Sequence, residues 1–155
     1  MGYRFKGLVT LDPRVAEVAL ANWPFCQLKR EEQQFSGYIL RCPDENDLHP
    51  TDGDAEWERV IDQADQVRSS LPALSNRFPE SWLIYVEVEC FGGTCQNTGA
   101  QYLAGSAVAT FEAGEAEADL ATILSPLGIQ LDEDQHFRPF TRGYFERRRY
   151  RRNDV

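Results

Sequence analysis

The sequence predicts an α+β domain: a single antiparallel or mixed sheet of about five to six strands, with about three helices packed mainly on one of its faces. Three observations predict it. Ser81 to Gly93, SWLIYVEVECFGG, is the stretch richest in β-branched and aromatic residues and reads as the central strand. Asp54 to Leu71 is the clearest amphipathic helix, with Trp57, Val60, Ile61, Ala64, Val67 and Leu71 recurring at three- and four-residue steps. The order of elements around these two, β-α-β-β-α-β-β-α and then a tail, is that of a sheet with helices laid against it.

Along the chain, Tyr3 to Leu11 alternates as a first strand, with Tyr3, Phe5, Val9 and Leu11 on one side and Arg4 and Lys6 on the other. Asp12 then Pro13 starts a helix, because the carboxylate caps orphan amides and proline suits the first helical position. Val15, Val18, Ala19 and Trp23 form its apolar face, and Pro24 ends it. Pro24 to Arg30 and Gln34 to Cys42 read as a hairpin turning at Glu31, Glu32 and Gln33, and Pro43 to Gly53 as an acidic loop. The long helix follows, capped by Thr51 or Asp54 and disturbed at its end by Pro72. In the central strand Leu83, Tyr85, Glu87 and Glu89 point one way and Trp82, Ile84, Val86, Val88 and Cys90 the other. The second face is wholly apolar and must be covered; the charged face can be wet. Thr94 to Gly99 is turn-forming, and Gln101 to Leu103 with Ser106 to Phe111 makes one broken strand or two short ones. A third helix is predicted over Glu115 to Leu127, with Gly128 as its C-cap. Beyond Gln130 periodicity fades, but Phe137, Phe140, Tyr144 and Phe145 are apolar enough to pack on the body.

A chain of 155 residues fits one domain, here an acidic α+β body over residues 1–135 and an arginine- and aromatic-rich segment of the same domain over residues 136–155. With 42% apolar and 12% aromatic residues it belongs with globular chains and not with disordered ones. No apolar run is long enough to span a membrane, and the N-terminus lacks the pattern of a secretory signal, so no membrane partner and a cytoplasmic setting are expected. Cys26, Cys42, Cys90 and Cys95 lack paired C-x-x-C spacing, which predicts reduced thiols and neither a structural disulfide nor a zinc site. No metal or other cofactor is expected.

Glu87 and Glu89 share a strand face about 7 Å apart, a separation that suits a pair of carboxylates acting on a glycosidic bond. The ordinary alternative is a polar sheet face on which they meet Arg4, Lys6, Lys29 or Arg41. Phe91 to Gly99 is the one Gly-rich loop; it has no P-loop lysine and opens no helix, so it reads as a connection. Cys95 within it would be a nucleophile only beside an activating base, and His49 and His136 are the sole histidines.

Charge is divided sharply. Residues 136–155 carry seven arginines against Glu146 and Asp154, a net +5, while residues 1–135 carry nine basic and 23 acidic residues, a net −14. Arg142, Arg147, Arg148, Arg149, Tyr150, Arg151 and Arg152 alternate cations with rings as single-strand nucleic-acid binders do. A body of −14 repels a polyanion, however, and attracts the arginines themselves, so docking on an acidic surface is the favoured reading of this partner- or anion-binding end.

The run Tyr85-Val86-Glu87-Val88-Glu89-Cys90-Phe91-Gly92-Gly93, then Gln96, then LSPLGI from Leu124 to Ile129 and finally Arg142-Gly143-Tyr144, resembles a family of small acidic bacterial proteins with a Phe-Gly-Gly turn. The resemblance covers the C-terminal half and implies a bacterial, cytoplasmic, stand-alone domain; it transfers no catalytic residue.

No assembled catalytic set accompanies these opposed charges. The expectation is therefore a non-enzymatic protein-interaction domain, immunity-like or regulatory, that takes a protein partner or associates with itself. One alternative is a nucleic-acid accessory protein acting through Arg147 to Arg152 with Tyr144 and Tyr150. Another is a hydrolase that uses Glu87 and Glu89 beside the Phe91 to Gly99 loop.

Overall fold

The computed structural model describes residues 3–92, 94–113, 119–131, 136–141 and 143–145, the side chain of Asn46 excepted. One antiparallel sheet of six strands organises it: β1 (Tyr3–Thr10), β2 (Gln27–Glu31), β3 (Gly37–Arg41), β4 (Leu83–Phe91), β5 (Thr94–Leu103) and β6 (Ser106–Phe111), in the spatial order β2-β3-β1-β4-β5-β6. The central strand lies inside the sheet as predicted, paired to β1 on one side and β5 on the other. Three helices complete the α+β class: α1 (Pro13–Asn22), α2 (Asp54–Arg77) and the short α3 (Leu120–Leu124).

The two faces of the sheet bury separate cores. On the first, α1 and α2 cover Leu8, Leu40, Leu83 and Tyr85 with Val15, Trp23, Val67 and Leu71. On the second, α3 and the C-terminal aromatics cover Phe5, Val9, Ile84, Val86 and Val88. The alternation read from β4 thus holds residue by residue, but its charged side is wet only at the Glu87 and Glu89 end, since Leu83 and Tyr85 lie beneath helices. Phe137, Phe140, Tyr144 and Phe145 are all buried, with the Phe140 ring 4.3 Å and the Phe145 ring 6.1 Å from that of Phe5. Offset aromatic pairs of this kind add about 0.5–1.5 kcal/mol each beyond the area they bury.

Local chemistry explains the elements and four departures from expectation. Asp12 caps α1 as predicted, accepting from the Arg14 amide at 2.9 Å with Pro13 in the first turn. The long helix instead begins after Gly53 with no side-chain cap, and it runs through Pro72 to Arg77. Proline is tolerated there because Pro72 and Arg68 face water, where the carbonyl left without its amide is solvated, while Leu71, Leu74 and Ser75 are held against the sheet. The Phe91 to Gly99 stretch is not a wide loop: Phe91 and Thr94 are register partners across a tight turn, with Gly92 at φ 59°, and β5 starts at once. Finally, Cys90 and Cys95 are themselves register partners and form a disulfide, contrary to the expected free thiols, because a tight hairpin brings two side chains five residues apart face to face. Cys26 and Cys42 remain free and buried. The third helix is described only from Leu120, capped by Asp119, and its last turn closes at Gly128 with φ 69° as predicted.

Candidate functional site

The register of β1, β4 and β5 sets Lys6 and Thr98 on either side of Glu87, and Arg4 and Gln96 on either side of Glu89. Glu89 accepts from Arg4 at 2.9 Å, and Arg4 also pairs with Glu45 from the turn that follows β3. Glu87 accepts from the Tyr85 hydroxyl at 2.8 Å and from Thr98 at 3.4 Å, while burial and the Glu87 charge push the Tyr85 hydroxyl far above its ordinary range. The hollow above these groups measures about 190 Å³, less than ligand pockets usually offer. The two carboxylates are therefore members of an ordinary cross-strand polar face, each already engaged by a neighbour.

Cys95 is bonded to Cys90, so it presents no thiolate. His136 does share with that disulfide a hollow of about 480 Å³, floored by Val88, Leu120, Phe137 and Phe140, yet a bonded sulfur leaves the ring nothing to activate. His49 lies elsewhere, its ring Nδ1 2.6 Å from the Thr51 hydroxyl. The free pair is inert for the opposite reason: a hydrogen bond to Cys26 and complete burial raise the Cys42 thiol well above its ordinary value. Among the described residues no group of three acids, histidines or cysteines is placed to hold a metal ion, and no helix is long and apolar enough to cross a membrane.

Arg142, Arg147, Arg148, Arg149, Tyr150, Arg151 and Arg152 lie outside the described residues. The anchor just before them is described, and it turns on Glu31, expected in the hairpin turn and found as the last residue of β2. Glu31 is 2% exposed and accepts from the backbone amides of Gln33 at 2.8 Å and Glu32 at 3.0 Å and from the Tyr144 hydroxyl at 3.0 Å, with Arg138 at 3.8 Å. Burial raises this carboxyl, but the three donors and Arg138 outweigh it and hold it below its ordinary value. Tyr144 is raised in turn, by burial first and then by Glu31. Lys29 donates to the Tyr144 carbonyl at 2.7 Å and sits 4.2 Å from the ring centre, so the chain is pinned to β2 at the point where it leaves the body.

The exposed apolar surface that sequence periodicity misassigned is on α2. Trp57 and Ile61, expected on the buried face, stand 44% and 41% exposed, one turn apart. Asp54, Glu58, Asp62 and Asp65 are exposed neighbours on the same helix, and among the described residues none of the four has an ion-pair partner. A hollow of about 340 Å³ opens beside the Trp57 ring, walled by Leu48, His49, Asp52 and Asp54. A helical wheel hinted at this, since Val60, Ala64, Val67, Leu71 and Leu74 form a complete inner stripe that leaves Trp57 and Ile61 on its flank. Tryptophan in a partly walled hollow with a charged rim is the usual centre of a protein contact.

The chain matches no protein-family model, no curated protein and no solved structure.

Proposed function

We propose that this protein is a non-enzymatic interaction domain, immunity-like or regulatory in kind, which holds a basic polypeptide on the outer face of α2. The observation that supports this most is the pair of exposed side chains Trp57 and Ile61 set among four acids that have no ion-pair partner among the described residues. Burying a tryptophan of this exposure removes from water apolar surface worth about 25 cal/mol per Å², and a partner's arginines would meet carboxylates with which no described residue pairs. The engagement of Glu87 and Glu89 by Tyr85, Thr98 and Arg4 speaks for the same reading over a hydrolase. The cytoplasmic setting expected from the lack of a secretory signal and from unpaired thiols keeps only Cys26 and Cys42 of those thiols, and the interaction itself does not require a particular compartment.

The test is capture of polypeptide partners by the immobilised chain, wild type against Trp57→Ala/Ile61→Ala. Bound protein, another copy of the chain included, is expected on the wild type and lost from the variant. Equal capture by both, or none by either, rejects this face as the binding surface.

A further inference from the structure

Resting on the reading above, we infer that the occupant of the α2 face is the arginine-rich end of a second copy of this chain, so that the protein associates head to tail. Two features of the molecule are complementary. One is the acid-rimmed Trp57 and Ile61 surface; the other is RRRYRR, which places Arg147, Arg148, Arg149, Arg151 and Arg152 around Tyr150. Their chemistries match. Guanidinium groups pair with carboxylates through two parallel hydrogen bonds and stack on indole rings, which fits Asp54, Glu58, Asp62 and Asp65 around Trp57. Tyr150 is suited to the hollow beside that ring, being flat, largely apolar and polar only at its tip.

Chain length bears on the choice between the same copy and another, since the whole RRRYRR run is needed to cover the face. Phe145, the last described residue, packs against Phe5 on the face of the sheet opposite α2. At about 3.4 Å per residue, Arg147 reaches at most about 7 Å from Phe145 and Arg149 about 14 Å. A path from there to the outer side of α2 must round the sheet edge and climb past a helix about 10 Å thick, so the first three arginines fall short of their own α2. They meet no such obstacle on a neighbour. The same charges argue against nucleic acid, because a body of −14 attracts arginines and repels phosphates over the Debye length of about 8 Å at physiological salt.

Sedimentation velocity on the full chain tests this with two surface variants, each checked for folding by circular dichroism. Trp57→Ala/Glu58→Lys disables the face, and Arg→Gln at positions 147, 148, 149, 151 and 152 disables the end. Wild type is expected to associate at 50 mM NaCl and to dissociate at least tenfold more readily at 500 mM. Each variant alone is expected to be monomeric, and an equimolar mixture to form a complex of two chains and stop there, because one working face and one working end remain. Wild type that stays monomeric, variants that associate like wild type, or a mixture that stays monomeric overturns the inference. So does binding of a 20-nucleotide single-stranded RNA that the glutamine variant loses, without a mixed complex. A partner captured by wild type and lost with Trp57→Ala/Ile61→Ala, in a chain that never self-associates, would overturn only this inference and leave the α2 face as the binding surface.

Discussion

From Val67 to Leu74 the inner side of α2 is closed against the sheet, with Val67 and Leu71 at 0% exposure; from Asp54 to Ile61 the same helix holds Trp57 and Ile61 in water. Both halves repeat apolar residues at helical spacing, but the acids of the helix, Asp54 to Asp65, all precede Val67. They differ in what stands opposite. The C-terminal half crosses β4, β5 and β6, whereas the N-terminal half passes the turn at Glu45–Asp47 and the loop leading to Gly53, which offer mostly polar groups. Periodicity therefore tells which side of a helix is apolar, and tertiary geometry tells whether anything covers it.

The sharpest way to break this comparison is to truncate one residue in each half. Leu71→Ala is expected to cost about 2–5 kcal/mol in urea unfolding, the usual toll of a cavity in a closed core. Trp57→Ala is expected to stay within about 0.5 kcal/mol of wild type, as exposed substitutions do, while abolishing partner capture. A large stability loss from Trp57→Ala would show that its ring belongs to the core after all.

Glu31 sharpens the comparison from the other face. Glu31→Gln is expected to cost about 1–2 kcal/mol at pH 7, since a buried acceptor of three hydrogen bonds loses its charge. The sign with pH follows from its depressed pKa. Stabilisation is present above the unfolded value near 4.5 and is lost as pH falls through the lower folded value, so the gap between wild type and variant should narrow as pH falls below about 4.5. Asp12 contributes with the same sign, held low first by the Arg14 side chain and also by Ser81. A gap that widens on acidification would contradict the hydrogen bonding described.

A smaller effect is expected from the hairpin disulfide. Reducing Cys90–Cys95 releases a loop of few residues, worth about 2 kcal/mol at most, because β4 and β5 already hold the register. Thiol titration should find no reactive cysteine in the native oxidised chain, two after unfolding and four after unfolding with reductant. A native chain with four reactive thiols would remove the disulfide from the structure.

Much of the architecture was legible because it rests on local rules. The alternation in β4, the Asp12-Pro13 start of α1, the Gly128 stop and the apolar tail each depend on residues close in sequence. What escaped depends on partners far along the chain. Glu31 reads as a turn residue until Tyr144, 113 positions away, arrives to bond it. Cys95 reads as a loop thiol until the tightness of the Gly92 turn sets it against Cys90. Pro72 reads as a stop until the sheet beneath Leu71 and Leu74 supplies what the missing amide does not. Trp57 and Ile61 read as core because their place on the flank of the inner stripe does not announce where the sheet ends.

Tyr144 has its hydroxyl on Glu31, its carbonyl on Lys29 and its ring beside Lys29 and Arg138, so the backbone departs from one spot in one direction. In copies joined end to face, each would then receive its neighbour's end from the same anchored point of departure. Repetition of a single such step traces a screw or closes into a ring, the smallest ring being a twofold pair in which two copies exchange ends.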